Sequence, residues 1–219
     1  GKDNARMSWM LDDLDTKICS LHNQSKDQIR VGVILGGYST ERHISVESGR
    51  NIYQKLSSSG KYLPLPIFLS GNSAEYELHT IPINILLKDN ADDIRDKIRC
   101  IKKSPVTERI KGEGRDLTEK YVTEPIDHPT KIDFEQLSSR IDVAFIALHG
   151  RPGEDGAIQL ELEKVGIPYN GSGPESSAIT IDKFGTKEIL NEHGFSVASQ
   201  YMVYRSEFHN NVETLFNKI

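Results

Sequence analysis

The chain has 219 residues, 37% of them hydrophobic and 27% charged, with a formal net charge of −5. Length and composition fit a folded protein of one full domain and part of another, and argue against a disordered chain. A negative balance with no long basic run speaks against nucleic acid as a main partner. No apolar stretch approaches the roughly 18–20 residues of a membrane span, and the N-terminus lacks the apolar core of a signal peptide. Cys19 and Cys100 give neither a metal-ligand spacing nor a disulfide framework, and read as two unpaired thiols of a cytoplasmic protein. The sequence starts without an initiator Met and stops at Asn217-Lys218-Ile219 in what reads as an unfinished helix, so it is expected to be a piece of something larger.

Residues 1–29 carry Met7, Met10, Leu11, Leu14, Ile18 and Leu21 at near-helical spacing, with Trp9 as an apolar anchor, and read as an N-terminal extension or the tail of a preceding domain. Val31–Leu35 is an apolar run that stops at Gly36-Gly37. An amphipathic segment from about Ile44 to Ser58 follows, with Ile44, Ile52 and Leu56 expected to face inward. This is the strand, glycine turn and helix that open a parallel sheet. The polar cluster Ser39, Thr40, Glu41, Arg42, His43 and Ser45 falls at the carboxyl end of that strand, where open α/β sheets bind ligands.

Lys61–Leu69 reads as the second strand, and Pro64 and Pro66 argue that one side of it is not fully hydrogen-bonded, as at a sheet edge. Gly71-Asn72 makes a turn, Tyr76–His79 a short strand, and Asn90 caps a helix through Ala91, Ile94 and Ile98. Residues 102–135 are polar, charged and broken by Pro105, Gly112, Gly114, Pro125 and Pro129, and read as a long surface excursion. Ile141–Leu148 is an almost continuous apolar run, as in a central parallel strand. It ends in His149-Gly150, and the next helix is expected to bury Ile158, Leu160, Leu162 and Val165. Gly166 ends that helix in a left-handed cap. Ile167-Pro168-Tyr169 is a short strand, and Asn170-Gly171-Ser172-Gly173 leads to a helix with Pro174 in its first turn. Asp182 caps a further helix that Gly194 terminates, Val197–Tyr204 reads as a strand, and Ser206 or Asn211 opens the last helix.

Three glycine-bearing loops thus close three strand ends. Glycines there allow close backbone approach to a ligand, and helix starts beyond them favour anions. No G-x-G-x-x-G and no G-x-x-x-x-G-K-[ST] occurs, so neither a dinucleotide nor a P-loop enzyme is supported.

Taken together, four motifs resemble one family. They are Gly36-Gly37-Tyr38-Ser39-Thr40-Glu41-Arg42-His43-Ile44-Ser45; Leu148-His149-Gly150 with Gly153-Glu154-Asp155-Gly156; Gly166 through Gly173; and Asp182-Lys183 with Thr186-Lys187. In order and spacing they resemble D-alanine–D-alanine ligase, over roughly residues 30–205 apart from the polar excursion. The resemblance implies an α/β parallel sheet with helices on both faces, the Rossmann-like N-terminal substrate domain of an ATP-grasp enzyme over residues 30–180. Residues 181–219 would begin its central domain.

In that family ATP activates the first amino acid as an acyl phosphate, the amine of the second attacks it, and the product serves peptidoglycan synthesis. The resemblance gives Glu41 the ammonium group of the first D-alanine. It makes Ser45 a cap of the first helix, a support of Glu41, or both, and it sets His149 near the first substrate and the transferred phosphate. Gly36, Gly37, Ser39 and Gly150 would line the substrate, and Lys183 would meet ATP. Glu154 and Asp155 shape the turn, and His43 stands where the family has another acidic or polar residue. The phosphate lid and the Mg²⁺ carboxylates would come later in the chain, so these 219 residues are expected neither to catalyse alone nor to bind ATP and Mg²⁺ tightly. The family is commonly dimeric. Two alternatives stay open: a non-catalytic ligand-binding or regulatory module on the same scaffold, and a ligase with another second substrate.

Overall fold

A computed structural model describes residues 28–100 and 128–210. The expected helix before residue 28, Trp9, Cys19, the excursion over 101–127 and everything past residue 210 lie outside the described residues. Cys100 is exposed and unpaired.

The first strand, β1, spans Ile29–Gly36 and is followed by α1, Arg42–Ser57. Next come β2 (Tyr62–Gly71), β3 (Tyr76–Thr80), α2 (Ile83–Lys88) and α3 (Ala91–Arg99). Past the gap lie β4 (Thr130–Ile132), α4 (Phe134–Arg140), β5 (Val143–Ile146) and α5 (Ala157–Lys164). The described chain closes with α6 (Pro174–Thr180), α7 (Lys183–Glu192) and α8 (Arg205–Asn210).

The five strands form one sheet in the order β4-β3-β2-β1-β5. β1 pairs in parallel with β2 and with β5, as expected, but β2–β3 and β3–β4 are antiparallel. The sheet is therefore mixed, with its parallel part at β2-β1-β5. The cause is the short turn after β2, where the Asn72 amide donates to the Glu75 carbonyl and the Asn72 carboxamide oxygen accepts from Ala74 and Glu75. A connection that short reverses the chain, whereas a parallel return needs a crossover of a dozen or more residues.

β2 lies inside the sheet order, with one side incompletely paired, as its prolines imply. Its first half pairs with β1 alone, because the β3 ladder begins only at Ile67. The Pro66 carbonyl accepts from Ile81 on the β3 side, so the missing proline donors, two residues apart, face the side where the ladder is absent.

Helices cover both faces, and β1 divides its side chains between them. Val31, Val33 and Leu35 pack with Val46 of α1, Leu86 of α2 and Ile94 of α3, whereas Ile34 packs with Leu137 of α4 and Ile158 and Leu162 of α5. Burying each such aliphatic side chain contributes about 1.5–3 kcal/mol. The inward stripe of α1 runs Ser45, Gly49, Ile52, Leu56, so Ile44 is displaced from it and stands 54% exposed. Leu160, two residues from both Ile158 and Leu162 on α5, is exposed for the same reason.

Asn90 caps α3 by accepting from Asp92 and Asp93, and Asp182 caps α7 by accepting from Phe184, as the sequence implies. Pro174 sits in the first turn of α6, and Gly166 and Gly194 take left-handed φ. Residues 130–135, assigned to the excursion, instead form β4 and the start of α4. Ile167–Tyr169 makes one parallel bridge, Ala144 to Tyr169, rather than a strand. Val197–Tyr204 forms no strand: among the described residues no neighbouring strand pairs with it, and Tyr201, Met202 and Tyr204 stay exposed. The last helix opens at Arg205, one residue before Ser206.

His79 of β3 is 6% exposed, and its Nδ1 has no partner among the described residues. Burial lowers its pKa, against a smaller upward pull from Glu77. The folded value then lies below the unfolded value of about 6.5. Above that pH both states are neutral; as the pH falls, the unfolded chain takes the proton first and stability is lost. Urea unfolding at about pH 7 and pH 5.5 should show a larger loss in the native sequence than in His79→Gln, and equal losses would acquit His79.

Candidate functional site

β2 and β5 flank β1 on opposite sides, and α1 and α5 pack on opposite faces, which makes the carboxyl ends of β1 and β5 a topological switch point. In an open α/β sheet that switch point is where ligands bind. The first loop, residues 37–41, and the second, 147–156, meet there.

Ser45 of α1 ties the floor together. Its hydroxyl accepts from the Gly36 amide and donates to the Ala147 carbonyl, both at 2.9 Å, and the residue is fully buried. The side chain does not cap α1, and among the described residues its two hydrogen bonds go to Gly36 and Ala147 and not to the Glu41 carboxylate. Gly36 itself turns at φ 94°, and a Cβ there would lie 2.6 Å from the Phe68 ring. Its amide is spent on Ser45, and the Gly37 amide donates to the Leu69 carbonyl at 2.8 Å. These two glycines therefore shape the turn without keeping a free amide.

Ser39 joins the two loops: its hydroxyl donates to the His149 carbonyl at 2.7 Å and accepts from the Glu41 amide at 3.1 Å. Gly150 follows at φ 69°, with a would-be Cβ 3.1 Å from Ser39 Cβ and 3.4 Å from Glu41 Oε2. Only glycine fits that left-handed position against the first loop. Glu41 is exposed, and its carboxylate takes no hydrogen bond or ion pair among the described residues. The amides of Tyr38, Ser39, Thr40 and Gly150 are likewise without a partner there.

Two contacts were not visible in the sequence. Ser48 Oγ lies 3.0 Å from His149 Nε2; the signal that could have found it is its place one turn after Ser45 on the same face of α1. Asp92, in the first turn of α3, holds Arg42 through Nε at 3.0 Å and Nη2 at 3.1 Å, Arg95 Nη1 at 3.0 Å and His43 Nε2 at 3.2 Å. The Arg42 guanidinium beside it keeps the Asp92 carboxyl below the usual carboxylate range. The cluster fixes the start of α1, and a cavity of about 190 Å³ lies between it and Gly37, Tyr38, Phe68 and Ser70.

The third loop stands on the other side of β5. The Ile146 amide donates to Asn170 Oδ1 at 2.6 Å, and the Tyr169 hydroxyl donates to Glu163 at 2.7 Å. Burial and that carboxylate push the tyrosine up to about 12. A cavity of about 360 Å³ separates Gly171 and Ser172 from Leu148 and Gly153, and Gln159 braces it by donating to the Gly153 carbonyl.

Gly36, Gly37, Ser39, Glu41, Ser45, His149 and Gly150 thus come together. Lys183 does not: it is exposed at the first position of α7 and lines neither cavity. Asp155 accepts from the Ala157 amide at the start of α5, as expected of a turn-shaping residue. Among the described residues no group of three or more His, Cys, Asp or Glu could hold a metal ion, and no helix is long and apolar enough to cross a membrane.

A family described as D-ala D-ala ligase N-terminus matches residues 30–172. A D-alanine–D-alanine ligase of Pelodictyon phaeoclathratiforme is 31% identical over 192 residues, which cover 88% of this chain and 49% of the relative. One from Natranaerobius thermophilus is 33% identical, with 83% of this chain and 44% of the relative covered. The chain thus spans about half the length of these curated relatives or less. Among solved structures, the D-alanine–D-alanine ligase from Coxiella burnetii aligns with a TM-score of 0.58 and 27% identity, over 87% of this chain and 50% of that one. The VanG D-Ala:D-Ser ligase from Enterococcus faecalis, at 0.52 and 20% identity over 88% and 50%, is alike in fold.

Replacing Ser45 by alanine strands a buried amide and a buried carbonyl, so the variant should lose roughly 1–3 kcal/mol of stability. Urea unfolding measures it, and an unchanged midpoint would show that Ser45 is not the tie described.

Proposed function

We propose a function from one premise: the chain belongs to the D-ala D-ala ligase N-terminus family. Its rim is a site for the first amino acid of an ATP-dependent D-alanine–D-alanine ligase that makes peptidoglycan precursor in the cytoplasm. Residues 30–180 act as the substrate domain, and 181–219 begin the ATP-grasp domain.

The observation that carries this reading is a carboxylate without a partner beside amides without partners. A D-amino acid is a zwitterion. Glu41 suits its ammonium group, in a charge-assisted hydrogen bond, while the amides of Tyr38, Ser39, Thr40 and Gly150 suit oxygens of its carboxylate or of a phosphoryl group. Gly36 and Gly37 bring the first loop over the strand end, and Ser39 holds it against the second.

His149, kept at the same rim, can donate to an oxygen that gains negative charge, the electrostatic help that acyl transfer needs. Ser45 keeps the floor rigid. Lys183 is a point charge free to meet phosphate, a role that a lysine fills well. ATP supplies the phosphoryl group that activates the first carboxylate, and Mg²⁺ would be held by residues outside those described. The same scaffold would also serve a ligase with another second substrate, whose selecting groups lie elsewhere.

In the full-length enzyme, Glu41→Gln keeps an acceptor oxygen but removes the negative charge facing the ammonium group, a loss on the scale of about 1.5–3 kcal/mol, as for a hydrogen bond to a charged group. The corresponding drop in kcat/KM for D-alanine is roughly 10- to 100-fold, with the fold unchanged by circular dichroism. A rate equal to the parent's would take Glu41 out of the site. The 219-residue chain alone, given ATP, Mg²⁺ and D-alanine, should release no phosphate above background, and steady turnover would overturn the division of labour proposed.

A further inference from the structure

His149 is held from the first loop and helix at two points. Ser39 fixes its carbonyl at 2.7 Å, and Ser48 meets its ring at Nε2, 3.0 Å away. The first contact sets where the residue sits; the second decides which ring nitrogen remains available. We propose that Ser48 is a positioning residue that donates its hydroxyl to Nε2 and holds the neutral imidazole in its Nδ1–H form, leaving Nδ1–H as the donor offered at the rim.

The direction of that bond follows from where the serine hydrogen can go. A hydroxyl has one hydrogen to give, and within a helix it commonly turns back to the carbonyl four residues earlier. Thr180 does so toward the Ser176 carbonyl at 2.9 Å. Ser48 makes no such bond among the described residues; its polar partner there is the imidazole. Half-buried between α1 and the second loop, the hydroxyl therefore gives its hydrogen to Nε2, and a neutral ring must then carry its own on Nδ1. No protein group among the described residues meets Nδ1.

The geometry of α1 makes the contact dependable. Ser45 and Ser48 lie one turn apart on the face turned to β5. They reach residues 147 and 149, which are two apart in the loop that follows β5. Which oxygen Nδ1–H meets rests on the reading of this rim as an amino-acid site: it is an oxygen of the first substrate's carboxylate or of its activated form. The tautomer itself does not rest on that reading.

The experiment is a long-range ¹H–¹⁵N correlation spectrum of the ¹⁵N-labelled 219-residue chain at about pH 8, where neutral imidazole dominates. The His149 signals are identified by their loss in His149→Gln. The native sequence should show one tautomer with the proton on Nδ1. Ser48→Ala should show a mixture of both, and Ser48→Thr should restore the single form, with the backbone amide spectra otherwise alike. A proton on Nε2 in the native chain, or a Ser48→Ala spectrum identical to the native one, would overturn the assignment. Addition of D-alanine separates the two claims. If the tautomers behave as stated but D-alanine leaves the His149 signals in place, Ser48 keeps its role and the amino-acid reading of the rim fails.

Discussion

The buried hydroxyl of Ser45, bonded at once to the Gly36 amide and the Ala147 carbonyl, is the contact on which the rest of the rim depends. It sits where three elements converge: the end of β1, the start of α1 and the end of β5. Both bonds are shielded from water, so neither backbone group has an alternative partner, and losing the hydroxyl costs more than the bonds are worth when exposed. With this tie in place, the first loop leaves β1 in a fixed direction and the second leaves β5 beside it. Ser39 can then span the two loops, and Gly150 can press against Glu41.

A second set of contacts fixes α1 from outside. Asp92 gathers Arg42, Arg95 and His43, and thereby anchors the start of α1 to that of α3. Much of this cluster is exposed, and ion pairs of that kind contribute little to stability. Their effect is geometric: Arg42 is drawn toward Asp92, while its neighbour Glu41 is left without a cation. A rim carboxylate neutralised by its own protein would be a poor receptor for an ammonium group, and α3 removes the nearest competitor.

The sheet and its loops were legible because apolar runs ending in glycine have one simple reading, a buried strand with a turn. Val31–Gly37 behaved that way, and Ile141–Gly150 did so over a shorter strand, Val143–Ile146, that ends the sheet order instead of lying at its centre; Asn90, Asp182, Pro174 and Gly166 signalled helix ends through local chemistry. Orientation was harder. Nothing in the composition of Tyr76–Thr80 says that it runs against β2; the length of the turn after Gly71 decides it. Ile44 and Leu160 were assigned inward because they are apolar, whereas helix phase gives the inward position to Ser45 and leaves Leu160 outside. Pro64 and Pro66 reported a missing ladder correctly, yet the ladder is missing over half a strand rather than along a whole edge. In the site, Glu41 and His149 were found through motif, but Ser48 and Asp92 act through contacts 101 and 50 residues away in sequence, which no local pattern encodes.

The strand order also separates two properties of the molecule. The segment between α3 and β4 joins the sheet at its far edge, and β4 is separated from β1 by three strand spacings, roughly 14 Å. Its upstream end, Cys100, is at the opposite end of α3 from Asp92. At that edge β4 pairs with β3 alone, while the Ser45 tie and the Asp92 cluster lie at β1, β5 and the start of α3. The two margins of the sheet thus differ: one ends in a three-residue strand, and the other, at β1 and β5, is locked by a buried hydroxyl that leaves the backbone path little freedom.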